Sequence, residues 1–149
     1  MNVGEACNRE VVITWGDAPL LEAARLMREH HVGDIVIVEE RAGERRPVGI
    51  VTDRDLVVEV LAADLDPSSL KVSDVLTAEL VTAREEESLE DVVKRMRLHG
   101  VRRLPVVNRA GGLEGILALD DVLDLLAETL QDLASLVGKE QRREREARA

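Results

Sequence analysis

Gly49-Ile50-Val51-Thr52-Asp53-Arg54-Asp55 decides how this chain is read: β-branched residues give way to polar ones, and an apolar pattern at helical spacing follows from Leu56. That order predicts strand, turn and helix. At such a junction the first helical N–H groups lack partners and the helix dipole turns its positive end outward, which suits an anion. Thr52 and Asp55 would both stand there. Thr-x-x-Asp also fits a capping box, in which both side chains are consumed by local backbone N–H groups. The local sequence leaves both readings open.

The pattern nearly recurs at Gly115-Ile116-Leu117-Ala118-Leu119-Asp120-Asp121. Outward from there, Val3 aligns with Val72, Glu10 with Glu79, Leu20 with Leu89, Met27 with Met96, His30 with His99 and Val32 with Val101. The register holds without a gap through Val38 and Val107, and only the next loop differs, three residues shorter over 108–114 than over 39–48. An internal duplication is the economical explanation. Each copy reads β-α-β-β-α, so the fold class is α/β (α+β), with two repeats sharing a core about a pseudo-twofold axis. Repeat 1 is placed over 1–66, repeat 2 over 67–130, and a helical extension with a charged tail over 131–149.

Strands are expected over 11–14, 35–38 and 48–51, and again over 80–83. A helix over 18–30 has Asp17 as its N-cap, Pro19 in its first turn and Gly33 as its stop, and its counterpart over 88–99 opens with a Ser88-x-x-Asp91 capping box. The apolar run 35–38 suits a strand covered on both faces. Residues 39–48 are charged, carry Gly43 and Pro47, and predict an exposed loop. The helix after Thr52 is expected to bury Leu56, Val57, Val60 and Leu61, with a linker over 64–69. Leu123, Leu126, Leu130, Leu133 and Val137 form a seam of the coiled-coil type, which either packs back on its own domain or dimerises. The charged residues 139–149 predict a frayed helix end or disorder.

Composition excludes several classes of function. The 149 residues carry 20 Lys and Arg against 30 Asp and Glu, a net charge of −10 that repels nucleic acid and anionic membranes. Trp15 is the only aromatic residue, so base-stacking platforms are missing. The one cysteine, Cys7, reads as a buried small apolar residue in a reducing compartment. No apolar run approaches the roughly 20 residues of a membrane span, and no signal peptide is visible, so a cytoplasmic protein is expected. His30, His31, His99 and Cys7 lack metal-ligand spacing, and no metal is expected. Catalytic triads, P-loops and dinucleotide fingerprints are not found, and the chain is read as a non-enzyme.

Val-Arg-Arg-Leu-Pro-Val-Val at 101–107, the Gly49 to Asp55 stretch and the duplication agree in order and spacing, and together they resemble a tandem pair of CBS domains, the Bateman module, over about residues 3–128. The resemblance implies a stand-alone regulatory sensor for an adenosine ligand: AMP, ADP or ATP, with S-adenosylmethionine and NAD as further options. It also implies a disc-like homodimer that an unidentified regulated protein reads. In that family each cleft draws on both repeats. Carried over, cleft A combines Ile50, Thr52, Arg54 and Asp55 with Leu80 and Val81 and with Val101, Arg102 and Arg103. Asp55 can accept from both ribose hydroxyls, and guanidinium groups can pair with phosphate. Arg102 and Arg103 also fit solvated strand positions.

Cleft B combines Val11, Val12, Val32, Gly33 and Asp34 with Ile116, Ala118 and Asp121. Here the sequence departs from the pattern, because Ala118 lacks a hydroxyl and Asp34 stands where cleft A has Arg103. A phosphate there would meet a like charge, which Asp120 reinforces. The expectation is a phosphorylated adenosine ligand in cleft A, and in cleft B nothing or a nucleoside. The alternative is a constitutive dimerisation scaffold with vestigial clefts.

Overall fold

The apolar run 35–38 has no polar face, and the computed structural model, which describes residues 1–76 and 79–148, shows what covers each side. Ile35 and Ile37 join Val51 in one core, while the alternate residues Val36 and Val38 join Ile116 in another. Side chains of a strand alternate between faces, so a strand roofed on both sides must be apolar throughout.

The chain runs α1 (Val3–Ala6), β1 (Ile13–Trp15), α2 (Leu20–His30), β2 (Asp34–Arg41), β3 (Glu44–Thr52) and α3 (Asp53–Asp55), which continues as a π-helical segment, Leu56–Leu61. Short 3₁₀ turns at Pro67–Ser69 and Val72–Val75 lead to β4 (Ala83–Arg84), α4 (Leu89–His99), β5 (Arg103–Val107), β6 (Leu113–Ala118) and α5 (Leu119–Arg148). Each repeat forms a three-stranded sheet with one parallel and one antiparallel pair, in the orders β1-β2-β3 and β4-β5-β6. The duplication extends to irregularities: β-bulges fall at Ile37/Val38 and at the equivalent Val106/Val107. No helix among the described residues is long and apolar enough to cross a membrane.

The segments leading into the repeats are exchanged. Val3 is fully buried in the core of Ala83, Val92, Met96, Leu104, Val106 and Leu117, which belongs to the second sheet and α4. Val72 and Val75 reciprocate in the core of Leu20, Ala23, Ile35 and Val51. Backbone bonds fix both crossings: Val3 N–H donates to the Glu87 carbonyl, and Val72 N–H to the Ala18 carbonyl, each at 2.9 Å. Further along, Asn8 and Ile116 exchange two backbone hydrogen bonds of 2.9 Å across Gly115.

Tertiary partners revise several local expectations. Asp17 does not cap α2; Pro19 holds the N-cap position, and the Leu20 N–H donates to the Leu70 carbonyl at 2.9 Å. The helix closes at His31 rather than Gly33, with His31 left-handed at φ 54° where the second repeat places Gly100 at φ 64°. The shortest strands lie later than expected, at Ile13–Trp15 instead of 11–14 and at Ala83–Arg84 instead of 80–83. Residues 39–48 are not a loop: β2 and β3 continue to a tight turn at Ala42-Gly43, both at positive φ. Their charges face one another in register, Glu39 to Arg46, Glu40 to Arg45 and Arg41 to Glu44, so each opposed pair is of opposite sign.

After Asp55 the π winding replaces i→i+4 bonds by i→i+5, as in Ala62 N–H to the Val57 carbonyl. Val60 stays buried and Leu56 packs on the core, but Val57 and Leu61, expected inside, are exposed. The tail is neither frayed nor disordered through Arg148, because its Glu, Gln, Arg and Ala residues are strong helix formers and Arg145 and Arg148 suit the negative end of the dipole. Its last residue, Ala149, lies outside the described residues, as do Thr77 and Ala78.

A β-carbon at Gly115 would lie 2.7 Å from the Asn8 carbonyl oxygen, and one at Gly49 would lie 2.7 Å from the end of the Leu76 side chain. Backbone held by paired hydrogen bonds cannot retreat, whereas a leucine methyl can. Urea unfolding should therefore show Gly115→Ala destabilising the protein by about 1–3 kcal/mol and Gly49→Ala by clearly less.

Candidate functional site

The strand-to-helix junction at Thr52 forms the capping box that its sequence allows. Thr52 Oγ1 accepts from the Asp55 N–H at 3.1 Å, and Asp55 Oδ2 accepts from the Thr52 N–H at 2.9 Å. The box uses one oxygen of Asp55 and leaves Oδ1 without a protein partner among the described residues. The Thr52 hydroxyl keeps its proton to donate. Local capping and ligand contact are therefore compatible at this junction.

This junction borders a cavity of about 450 Å³ between the repeats. Ile50, Thr52, Arg54 and Asp55 reach it from β3 and α3, Leu80 and Val81 from the lead-in of the second repeat, and Val101, Arg102 and Arg103 from the turn into β5. All the residues expected for cleft A thus line one space. Gly49, Asp53, Val75, Leu76, Glu79 and Gly100 line it as well and were missed. A signal for two of them was available: Leu76 covers Gly49 just as Cys7 crosses Gly115, an equivalence that the duplication contains. Asp53 is placed by a tertiary bond from its N–H to the Gly33 carbonyl at 3.0 Å, which no local pattern reveals.

The electrostatics differ from the expected basic cleft. Arg54, Arg102 and Arg103 are matched in the lining by Asp53, Asp55 and Glu79. Arg103 Nη1 donates to Asp34 Oδ2 at 2.5 Å, with the two side chains 29% and 26% exposed. Arg102 lies 3.8 Å from the Asp120 carboxylate on the open surface. Arg102 is thus the solvated one of the two, and Arg103 is committed within the protein.

The residues assigned to cleft B lie in several different surroundings. Ile116 is buried against Val11 in the core between the sheets, Val12 and Val32 pack on the front core, and Gly33 accepts from Asp53. Asp34, expected in cleft B as a like charge that disfavours phosphate, pairs with Arg103. Asp121 borders a separate depression with Glu5, Cys7, Asn8, Asp124 and Glu128. Cys7 is half-buried, with its thiol 3.7 Å from the Gly4 carbonyl, and burial pushes its pKa up. Among the described residues no three His, Cys, Asp or Glu side chains gather as a metal site.

Two β-α-β-β-α repeats with an inter-repeat cavity beside a Gly-x-x-Thr-x-x-Asp junction define a tandem domain pair with a small-molecule-sized cleft. The chain belongs to the CBS-domain family, whose family model matches it twice, over residues 3–62 and 72–128. Among similar proteins, the uncharacterized protein MK0525 of Methanopyrus kandleri is 35% identical over 125 residues, 84% of this chain and 62% of that protein. The CBS domain-containing protein YhcV of Bacillus subtilis is 36% identical over 121 residues, 81% of this chain and 82% of that protein.

Solved structures agree. Hypoxic Response Protein I, a protein of Mycobacterium tuberculosis solved with two coordinated zinc ions, matches with TM-score 0.72 and 29% identity over 83% of this chain and 98% of that one. The CBS domain protein PAE2072 from Pyrobaculum aerophilum, complexed with AMP, gives 0.71 and 26% over 81% and 89%. The cytosolic domain of the Mg2+ channel MgtE in complex with ATP gives 0.69 and 28% over 83% and 48%.

Because Thr52 caps α3 before any ligand arrives, Thr52→Ala should lower ligand-free stability by about 1 kcal/mol in urea titrations. An unchanged midpoint would mean that the hydroxyl serves binding alone.

Proposed function

We propose that this CBS pair is a regulatory module that binds an adenosine-containing ligand of the AMP, ADP or ATP class in the cavity between its repeats. Occupancy is signalled by a change in the arrangement of the repeats or of a homodimer, in the cytoplasm, and the module itself catalyses nothing. The observation that carries this reading is the cavity's composition: apolar walls from Ile50, Leu80, Val81 and Val101 beside a free carboxylate oxygen of Asp55, drawn from both repeats. Apolar walls accept a purine, and a carboxylate accepts from paired ribose hydroxyls. The volume falls within the roughly 300–1,000 Å³ of small-ligand sites. AMP in PAE2072 and ATP in the MgtE domain support the ligand class.

Thermal melting against adenosine, AMP, ADP, ATP, S-adenosylmethionine and NAD tests this reading. A ligand at 100 times its Kd should stabilise the protein by about 2.7 kcal/mol, a Tm rise of several degrees. Asp55→Ala should abolish the rise. A screen in which no compound moves Tm, or an undiminished rise in D55A, overturns it.

A second reading, constitutive dimerisation through α5, is favoured by one observation. Leu123, Leu126, Leu130, Leu133 and Val137 are all more than half exposed along one face of the 30-residue helix. Such a stripe at alternating three- and four-residue spacing is the seam of a two-helix coil. Ending the chain before Leu130 should convert dimer to monomer in sedimentation. A scaffold then retains no ligand-dependent melting shift, whereas a sensor keeps it.

A further inference from the structure

Asp34 and Arg103 occupy equivalent positions in the two repeats, at the start of β2 and of β5. A contact between equivalent residues straddles the pseudo-twofold axis, so this ion pair belongs to neither repeat alone. Both backbones are pinned alike, Asp34 opposite Thr52 in the β2–β3 ladder and Arg103 opposite Ala118 in the β5–β6 ladder, so the two ends differ in reach: Asp34 is short. Arg103 is long, and while it pairs with Asp34 it also lines the cavity, which Asp34 does not.

We propose that Asp34 is a specificity-determining residue that acts on the cavity through Arg103, withholding that guanidinium from phosphate and so favouring adenosine and AMP over ADP and ATP. The proposal rests on the adenosine-ligand reading and deepens it. Of the three guanidinium groups at the cavity, Arg103 is the one fixed in a half-buried pair, and Arg102 and Arg54 are exposed. A phosphate that takes the guanidinium from Asp34 leaves a half-buried carboxylate without a partner, which is costly. A phosphate that shares the guanidinium brings its charge close to that carboxylate, and Asp53, Asp55 and Glu79 already line the same space. Both costs grow with ligand charge: adenosine incurs neither, AMP a little, ATP the most.

Calorimetric affinities of adenosine, AMP, ADP and ATP for the wild type, Asp34→Asn, Arg103→Gln and the double variant test this. In the wild type, affinity should not rise from AMP to ATP. D34N keeps the shape and frees the cation: AMP should bind about 3- to 10-fold tighter, ATP should gain more, and adenosine should stay within about twofold. In the R103Q background D34N should change little, because the group through which Asp34 acts is gone. Asp34→Ser must reproduce the charge-graded gain should D34N fail to fold. An equal change for all four ligands marks Asp34 as merely structural and overturns the proposal, as does no change at all. If none of the four binds the wild type, the adenosine reading falls and this proposal with it.

Discussion

The reciprocal crossing of the two lead-in segments is the constraint on which the rest of the molecule depends. Val3, fully buried, closes the second core, and Val72 closes the first. A repeat of this size buries too little surface to hold itself comfortably. Each lends the other an apolar residue at the spot its own sequence leaves open, so neither core can loosen without uncovering part of its partner. The third core, of Val36, Val38 and Ile116, then presses the two sheets together. The cavity follows from this crossing: the lead-in that packs Val75 into the front core and lays Leu76 over Gly49 also supplies Leu80 and Val81, which line it.

Against this symmetric frame, a handful of substitutions at equivalent positions make the two halves unlike. Thr52 faces Ala118 in the alignment, and only the first has an oxygen that can close a capping box. Gly100 adopts a left-handed conformation that costs it nothing, while His31 adopts the same one with a β-carbon. Asp34 faces Arg103, and a duplication that placed like charges there would have put two of the same sign across the axis. Opposite signs turn a repulsion into a contact.

The duplication, the element order and the strand roofed on both faces were legible from the residues because they depend on periodicity and register. What was not legible depended on partners far away in the chain. Asp17 is a good local cap, yet the Leu70 carbonyl displaces it. Residues 39–48 look like a loop until β3 is seen to oppose every Glu with an Arg. The cleft A residues were legible through a resemblance to a known family. Their charge state was not, because alignment assigns Asp34 and Arg103 to separate clefts, and only three-dimensional placement shows that they neutralise each other.

That neutralisation bears on how a module of this kind can signal. A small molecule touching one repeat alone binds all arrangements of the pair equally and shifts none of them. The walls of this cavity come from β3 and α3 of one repeat and from the lead-in and β5 edge of the other, so the proposed ligand would touch both repeats at once. An ion pair on the axis is sensitive to their relative placement, since sliding one sheet over the other stretches it. Under the proposed function, cavity and ion pair would report a single motion from two sides, and Arg103, which belongs to both, would be where binding and arrangement are coupled.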